Sequence, residues 1–279
     1  ALSLDLALGY AGIITLGHAA FFGAGAYTVG MLATYGVWTE PITALLIAAL
    51  VAGVIGVLSG FVLLRTTGLT FLMLTLCTMA LLEQAANMAY AWTGGFDGLP
   101  SLPIGPVFGV FGFNPLYPTT QYLFALGVLF VCFVFLRTLV YSPFGQSLTG
   151  IRENVLRMHA IGSPVRRRLI VCYGISAALA GIAGGLSAQT TAYVNLSVLG
   201  LDRAATVLIV LILGGYGRLY GAFVGAVVYL ALEHFLAEVY PTAWQLGLGL
   251  LLVLIALFAR NGILGLGDTL WPVSYTHLR

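Results

Sequence analysis

Five long apolar runs, at about 41–64, 68–90, 120–140, 169–191 and 243–259, dominate the chain. Each matches the roughly 20 residues that a helix needs to cross about 30 Å of hydrocarbon. Charged residues make up only 7% of the 279, against about 25% in an average soluble domain. There is too little polar surface to coat a globule, so a soluble enzyme is excluded. Backbone groups in lipid must be paired within the protein, which helices achieve locally. The chain therefore reads as all-α, a polytopic transmembrane helical bundle.

Two more regions are long, apolar and interrupted by glycine. Leu2 to Tyr35 breaks around Gly9-Tyr10-Ala11-Gly12 and Gly17-His18, and Ala204 to Leu236 breaks at Gly214-Gly215-Tyr216-Gly217-Arg218. Each predicts an outer descending segment followed by an ascending helix, for about eight to nine membrane segments in all. Gly12, Gly17, Gly214, Gly215 and Gly217 are the candidate helix-break glycines. Glycine and alanine recur at similar spacings after both breaks, where they let helix backbones approach closely. A parallel internal repeat and a chance likeness of glycine-rich helices both remain open.

Arginine placement orients the spans. Arg65, Arg137, Arg152, Arg157, Arg166, Arg167, Arg168, Arg218 and Arg260 all fall on one side when the helices alternate, leaving only Arg203 and Arg279 outside the pattern. That side is cytoplasmic. The loop 91–119, with Asp97 and no arginine, is then extracytoplasmic, and its Trp92-Thr93-Gly94-Gly95-Phe96-Asp97-Gly98 segment is either an aromatic interface anchor or a contact surface.

All eleven basic residues are arginine. A phosphate-binding P-loop needs its lysine, so any nucleotide hydrolysis that drives this chain belongs to another polypeptide. Cys77, Cys132 and Cys172 read as small core hydrophobes, and His18, His159, His234 and His277 lack metal-ligand spacing. The chain opens on Ala1 within an apolar stretch, without the charged start of a signal peptide. We expect a single transmembrane domain over 1–270, truncated at its N-terminus, and a polar tail over 271–279.

The longest cytoplasmic loop, 142–168, is more than a connection. Pro143 and Gly145 form a turn, Pro164 closes the segment after it, and Ile151, Val155, Met158 and Ile161 recur at helical spacing between them. They predict one short amphipathic helix with Arg152, Glu153, Asn154 and Arg157 off the apolar stripe. Such a helix lies on the lipid surface or docks into a partner's groove.

Several stretches together resemble the permeases of branched-chain amino acid ABC transporters. They are Ser142-Pro143-Phe144-Gly145 with Ile151-Arg152-Glu153-Asn154 and Ala160-Ile161-Gly162; Leu16-Gly17-His18-Ala19-Ala20-Phe21-Phe22-Gly23; Trp92-Thr93-Gly94-Gly95-Phe96-Asp97-Gly98-Leu99; Leu213-Gly214-Gly215-Tyr216-Gly217-Arg218; and Phe258-Ala259-Arg260-Asn261-Gly262. Within that family the chain is most similar to the LivM-type subunit. The resemblance implies an importer-type permease bundle in the bacterial cytoplasmic (inner) membrane. It also implies a second, LivH-type permease subunit, two cytoplasmic ATPase subunits that bind ATP and Mg, and an extracytoplasmic substrate-binding protein. This chain itself would bind no cofactor and catalyse nothing. Arg152, Glu153, Asn154, Arg157, Ala160 and Gly162 would form the ATPase-coupling element, with Glu153, Ala160 and Gly162 on the family's glutamate, alanine and glycine positions. The family's usual proline near Arg260 is Ala259 here.

Polar residues inside the apolar runs complete the candidate site. A charge at mid-bilayer costs about 3 kcal/mol, yet Glu83 lies within 68–90, beside Gln84 and one turn before Asn87. Glu83 and Asn87 share a helix face. With His18 they form either a translocation path or a set of structural hydrogen bonds near wet boundaries. Glu233-His234 is a weaker case, and Asp5 is read as approaching the outer interface. An ion-coupled carrier usually shows more intramembrane acids, and an embedded enzyme would need a catalytic constellation that is not visible. Import of leucine, isoleucine and valine is the family's default, with urea or short-chain amides as the alternative.

Overall fold

The structure, a computed structural model, describes residues 1–100, 105, 118–239, 247 and 249. They fall into two compact units, Leu6–Ala205 and a second built from Ala1–Asp5 with Thr206–Arg279.

Helices account for nearly all of the larger unit. A π-helical turn over Leu6–Tyr10 leads through an open stretch into α2 (His18–Thr34), then α3 (Pro41–Leu63), α4 (Leu69–Met88), the short α5 (Tyr90–Thr93), α6 (Pro118–Tyr141), α7 (Pro143–Glu153), α8 (Val155–Ala160) and α9 (Val165–Thr191). α1 (Leu2–Asp5) precedes the π turn, and α10 (Leu201–Gly214) and α11 (Leu219–Val239) close the described chain. Among the described residues five helices are long and apolar enough to cross a membrane: Pro41–Leu63, Leu69–Met88, Thr119–Tyr141, Val165–Thr191 and Leu219–Val239. The first four coincide with expected spans, and the fifth is the ascending helix of the second interrupted region. The run 243–259 and the tail lie outside the described residues, apart from the helical positions 247 and 249.

The core is α2, α3 and α9, packed together more extensively than any other elements. Lipid tails are as apolar as leucine, so close helix packing has to come from shape. Small residues supply it. A Cβ on Gly25 would sit 2.1 Å from the Gly181 carbonyl oxygen, and one on Gly184 would sit 1.8 Å from that of Phe22. Ala48 and Ala52 of α3 are fully buried in the same seam, against Gly181 and Gly185. Near it Tyr173 meets Phe21 edge to face at 5.4 Å, a favourable quadrupole arrangement.

The two ends of this bundle differ as the arginine pattern requires. At one end Arg166 donates to the Phe61 carbonyl at 3.0 Å, and Arg166 and Arg65 both stack on the Phe61 ring. At the other, Tyr35 donates to the Ala91 carbonyl at 2.8 Å and leans on Trp92. There β1 (Leu99–Pro100) pairs antiparallel with β2 (Tyr193–Val194), and the Tyr193 hydroxyl donates to the Asp97 carbonyl. The positive-inside rule makes the arginine end cytoplasmic.

Two expectations are corrected. The stripe Ile151, Val155, Met158, Ile161 does not form one helix: Asn154 has extended backbone (φ −156°, ψ 99°) and its side chain accepts from the Arg157 N–H at 2.9 Å. Asparagine is among the strongest N-caps, so it ends α7 and starts α8. Of the cysteines only Cys172 is buried, whereas Cys77 lies exposed on α4.

Replacing Gly184 by Val should lower stability by about 1–3 kcal/mol or more through overpacking. Gly127→Ala, where nothing lies within 4 Å of the added carbon, should leave stability unchanged or slightly raised. Thermal unfolding of the purified chain in detergent checks both.

Candidate functional site

The cytoplasmic element is built in two steps. Ser142 caps α7 by accepting from the Gly145 N–H, with Pro143 at the first helical position, where its missing N–H costs nothing. α7 then buries Gly145, Ser147, Leu148 and Ile151. By contrast, α8 buries no residue. Leu156 is 81% exposed, Ile161 73% and Val155 48%. Glu153, Asn154, Arg157 and Ala160 are exposed as well. Gly162 adopts φ +82° and donates to the His159 carbonyl, a left-handed C-cap that favours glycine. Among the described residues nothing lies within 4 Å of the Cβ it lacks, so its role is conformational rather than a tight contact inside this chain.

Arg152 differs from its neighbours. Its Nη1 donates to the Gly9 carbonyl, and its Cγ lies 3.1 Å from the position a Cβ would take on Gly12. Gly12 itself has φ +72°. The π turn, in which Ala11 N–H reaches back to Leu6, ends at this point, and π turns recur at functional sites. Arg152 therefore joins α7 to the first helix break. Sequence reasoning placed it on the partner-facing side and missed this inward role, because a contact across 143 positions leaves no periodic trace.

The second break lies in the smaller unit. α10 ends at Gly214, Gly215 and Gly217 have φ +99° and +80°, and α11 begins at Leu219. Gly214 and Gly225 pack on opposing backbone, with a Cβ at Gly225 only 2.0 Å from the Val210 carbonyl oxygen. The Gly217 N–H donates to Oδ1 of Asp5 at 2.7 Å. Asp5 is fully buried and bonded beside Arg218, at the break that the arginine pattern puts on the cytoplasmic side, so it does not approach the outer interface as expected. Its carboxylate closes an interrupted helix. Gly17 keeps an ordinary φ as the N-cap of α2, and its need for glycine is the Thr75 carbonyl oxygen 2.8 Å from a Cβ.

The intramembrane polar residues do not converge. His18 is buried, with its ring nitrogen 3.2 Å from the Ser176 hydroxyl of α9 and its ring edge-on to Phe21. Glu83 and Asn87 share the expected face of α4 and are half-buried, while Gln84 is exposed. Asn87 lies at the outer end, 3.6 Å from where Gly95 would carry a Cβ. Beside them α2, α3 and α4 border an open apolar pocket of about 500 Å³, lined in part by Tyr27, Met31, Ile55, Leu82 and Ala86. Neither Glu83 nor His18 lines it.

These features define a multi-pass helical protein of the inner membrane. The chain belongs to the family described as the permease component of branched-chain amino acid transport systems, whose profile matches residues 1–257. Among curated proteins it is 28% identical to the high-affinity branched-chain amino acid transport system permease protein LivM of Escherichia coli, over 94% of this chain and 66% of that protein. It is 32% identical to the autoinducer 2 import system permease protein LsrC of an Enterobacter species, over 71% of this chain and 58% of that one. A probable LivM of Methanocaldococcus jannaschii is 24% identical over 89% and 80%. The chain thus spans just under two thirds of the Escherichia coli relative's length. No solved structure matches it.

Asp5→Leu should leave the Gly217 N–H without its acceptor and cost about 1–3 kcal/mol. Asp5→Asn, which keeps an acceptor oxygen, should cost less. Cysteine-labelling rates at a reporter introduced at Tyr216 would separate the two.

Proposed function

We propose that this chain is a permease subunit of an importer for branched-chain amino acids, driven by ATP hydrolysed on separate cytoplasmic subunits. The observation that carries the reading is α8. It stands at the arginine-rich end with none of its residues buried and with Val155, Leu156 and the following Ile161 exposed, only Met158 turning back towards Gly150 of α7. Three apolar side chains flanked by Glu153, Arg157 and Ala160 suit a socket in an ATPase subunit better than solvent. The full assembly would add a second permease subunit, two such ATPases and an extracytoplasmic binding protein. ATP and Mg belong on the ATPases, and this chain contributes no nucleotide site.

Coupling follows from the contacts. A partner that shifts α8 moves α7 with it, because the Asn154 cap joins the two helices without a flexible linker. Arg152 passes that displacement to the Gly9 carbonyl and the π turn. The first helix break is then the part of this chain that the ATPase moves. Glu83, Gln84 and Asn87 offer a polar stripe on α4 beside the apolar cavity, and we assign that face to the translocation path.

Leu156→Asp should abolish co-purification of the ATPase and uptake, with membrane insertion intact. Normal association and uptake in that variant would overturn the docking assignment. Arg152→Gln should keep the ATPase bound but lower transport per ATP hydrolysed by about tenfold, since a hydrogen bond to a charged group contributes about 1.5–3 kcal/mol. Proteoliposomes reporting leucine uptake and phosphate release together make the measurement.

A further inference from the structure

Arg203 is the described arginine of the larger unit that stands away from the cytoplasmic cluster. It sits in the first turn of α10, just beyond the outer segment that holds β2 and the turn at Leu196–Leu199. Arginine on this side runs against the bias that orients the protein. It lines a cavity of about 160 Å³ together with Ser187, Thr191, Asn195 and Ser197. Among the described residues its guanidinium has neither a hydrogen bond nor an ion pair.

The polar atoms of this cavity are set for an acceptor. Ser197 donates its hydroxyl proton to Oδ1 of Asn195 at 2.6 Å, which turns the asparagine amide so that its NH₂ remains to donate. Thr191 spends its proton on the Ser187 and Tyr193 carbonyls. What remains to donate is the fork of Arg203, whose side chain is otherwise exposed, together with the asparagine NH₂ and the Ser187 hydroxyl, while the Thr191 and Ser197 oxygens keep only acceptor lone pairs. A planar anion with two acceptor oxygens satisfies them, and arginine binds carboxylates through paired, charge-assisted bonds. Size narrows the choice. The cavity, about 160 Å³ and partly open, accommodates a carboxylate with a short apolar chain. Val194 and Val198 give it an apolar flank.

We infer that Arg203, with Asn195 beside it, forms an extracytoplasmic subsite for the carboxylate of a small aliphatic acid, taken here as the α-carboxylate of the transported amino acid. The assignment to the transported substrate rests on the function proposed above; the carboxylate chemistry does not. The Tyr193 hydroxyl, bonded to the Asp97 carbonyl at 3.1 Å, ties the rim of the cavity to the outer loop, so the subsite faces the side from which substrate arrives.

Two measurements test the subsite. In the first, the purified chain in lipid-free detergent is unfolded thermally with leucine, 4-methylpentanoate or isopentylamine. The two carboxylates should stabilise it and the amine should not. Arg203→Gln should weaken the carboxylate effect by about 10- to 100-fold, with Arg203→Lys between. No stabilisation by carboxylates, equal stabilisation by the amine, or an unchanged effect in Arg203→Gln would overturn the proposal. So would stabilisation by phosphatidylglycerol in place of the carboxylates, which would make the anion a lipid headgroup. In the second, the assembled transporter in phosphatidylcholine vesicles should need about tenfold more leucine for half-maximal uptake in Arg203→Gln, with ATPase association unchanged. A wild-type complex that takes up no leucine while its carboxylate binding still depends on Arg203 would remove the amino-acid reading and leave the subsite standing.

Discussion

A helix that stops and restarts leaves backbone groups without intrahelical partners, and each one buried unpaired costs about 1–3 kcal/mol. Both interruptions in this chain meet that constraint with a charged side chain distant in sequence. Arg152 takes up the Gly9 carbonyl at the first break, and Asp5 takes up the Gly217 N–H at the second. Left-handed glycines make the turns possible, but they do not pair the exposed backbone. The charged residues that look least suited to an oily polypeptide are therefore the ones that let its helices stop and restart.

Close helix packing has a different origin. The seam of α2, α3 and α9 is made by removing side chains, with Gly25, Gly181 and Gly184 placed where any Cβ would meet opposing backbone. Hydrophobicity supplies no preference between a leucine facing lipid and a leucine facing protein, so large apolar side chains such as Leu46, Leu50 and Leu58 of α3 are left on the outside. The bundle is in this respect the reverse of a water-soluble core.

Much of this was legible from spacing. Run length located α3, α4, α6 and α9 within a few residues, and arginine bias separated the two ends that the Phe61 stack and the β1–β2 pairing occupy. Local chemistry also left a mark: Asn154, three positions before Arg157, is an N-cap signal that outweighs the continuing apolar period. Asp5 and Arg152 were not legible in their actual roles, because a side chain that reaches across 212 or 143 positions follows no period. The donor-rich cavity at Arg203 was visible in the sequence only as an arginine on the wrong side.

The exposed α8 has a bearing on how the protein is made. Val155, Leu156 and Ile161 are exposed at the arginine-rich end, a patch of the kind that invites chaperones and proteases when left bare. If a partner subunit covers α8 as proposed, a copy made in excess of that mate would carry the greasy knob bare and be cleared. Supply of the mate would then set how many copies survive, giving matched stoichiometry without any dedicated regulator.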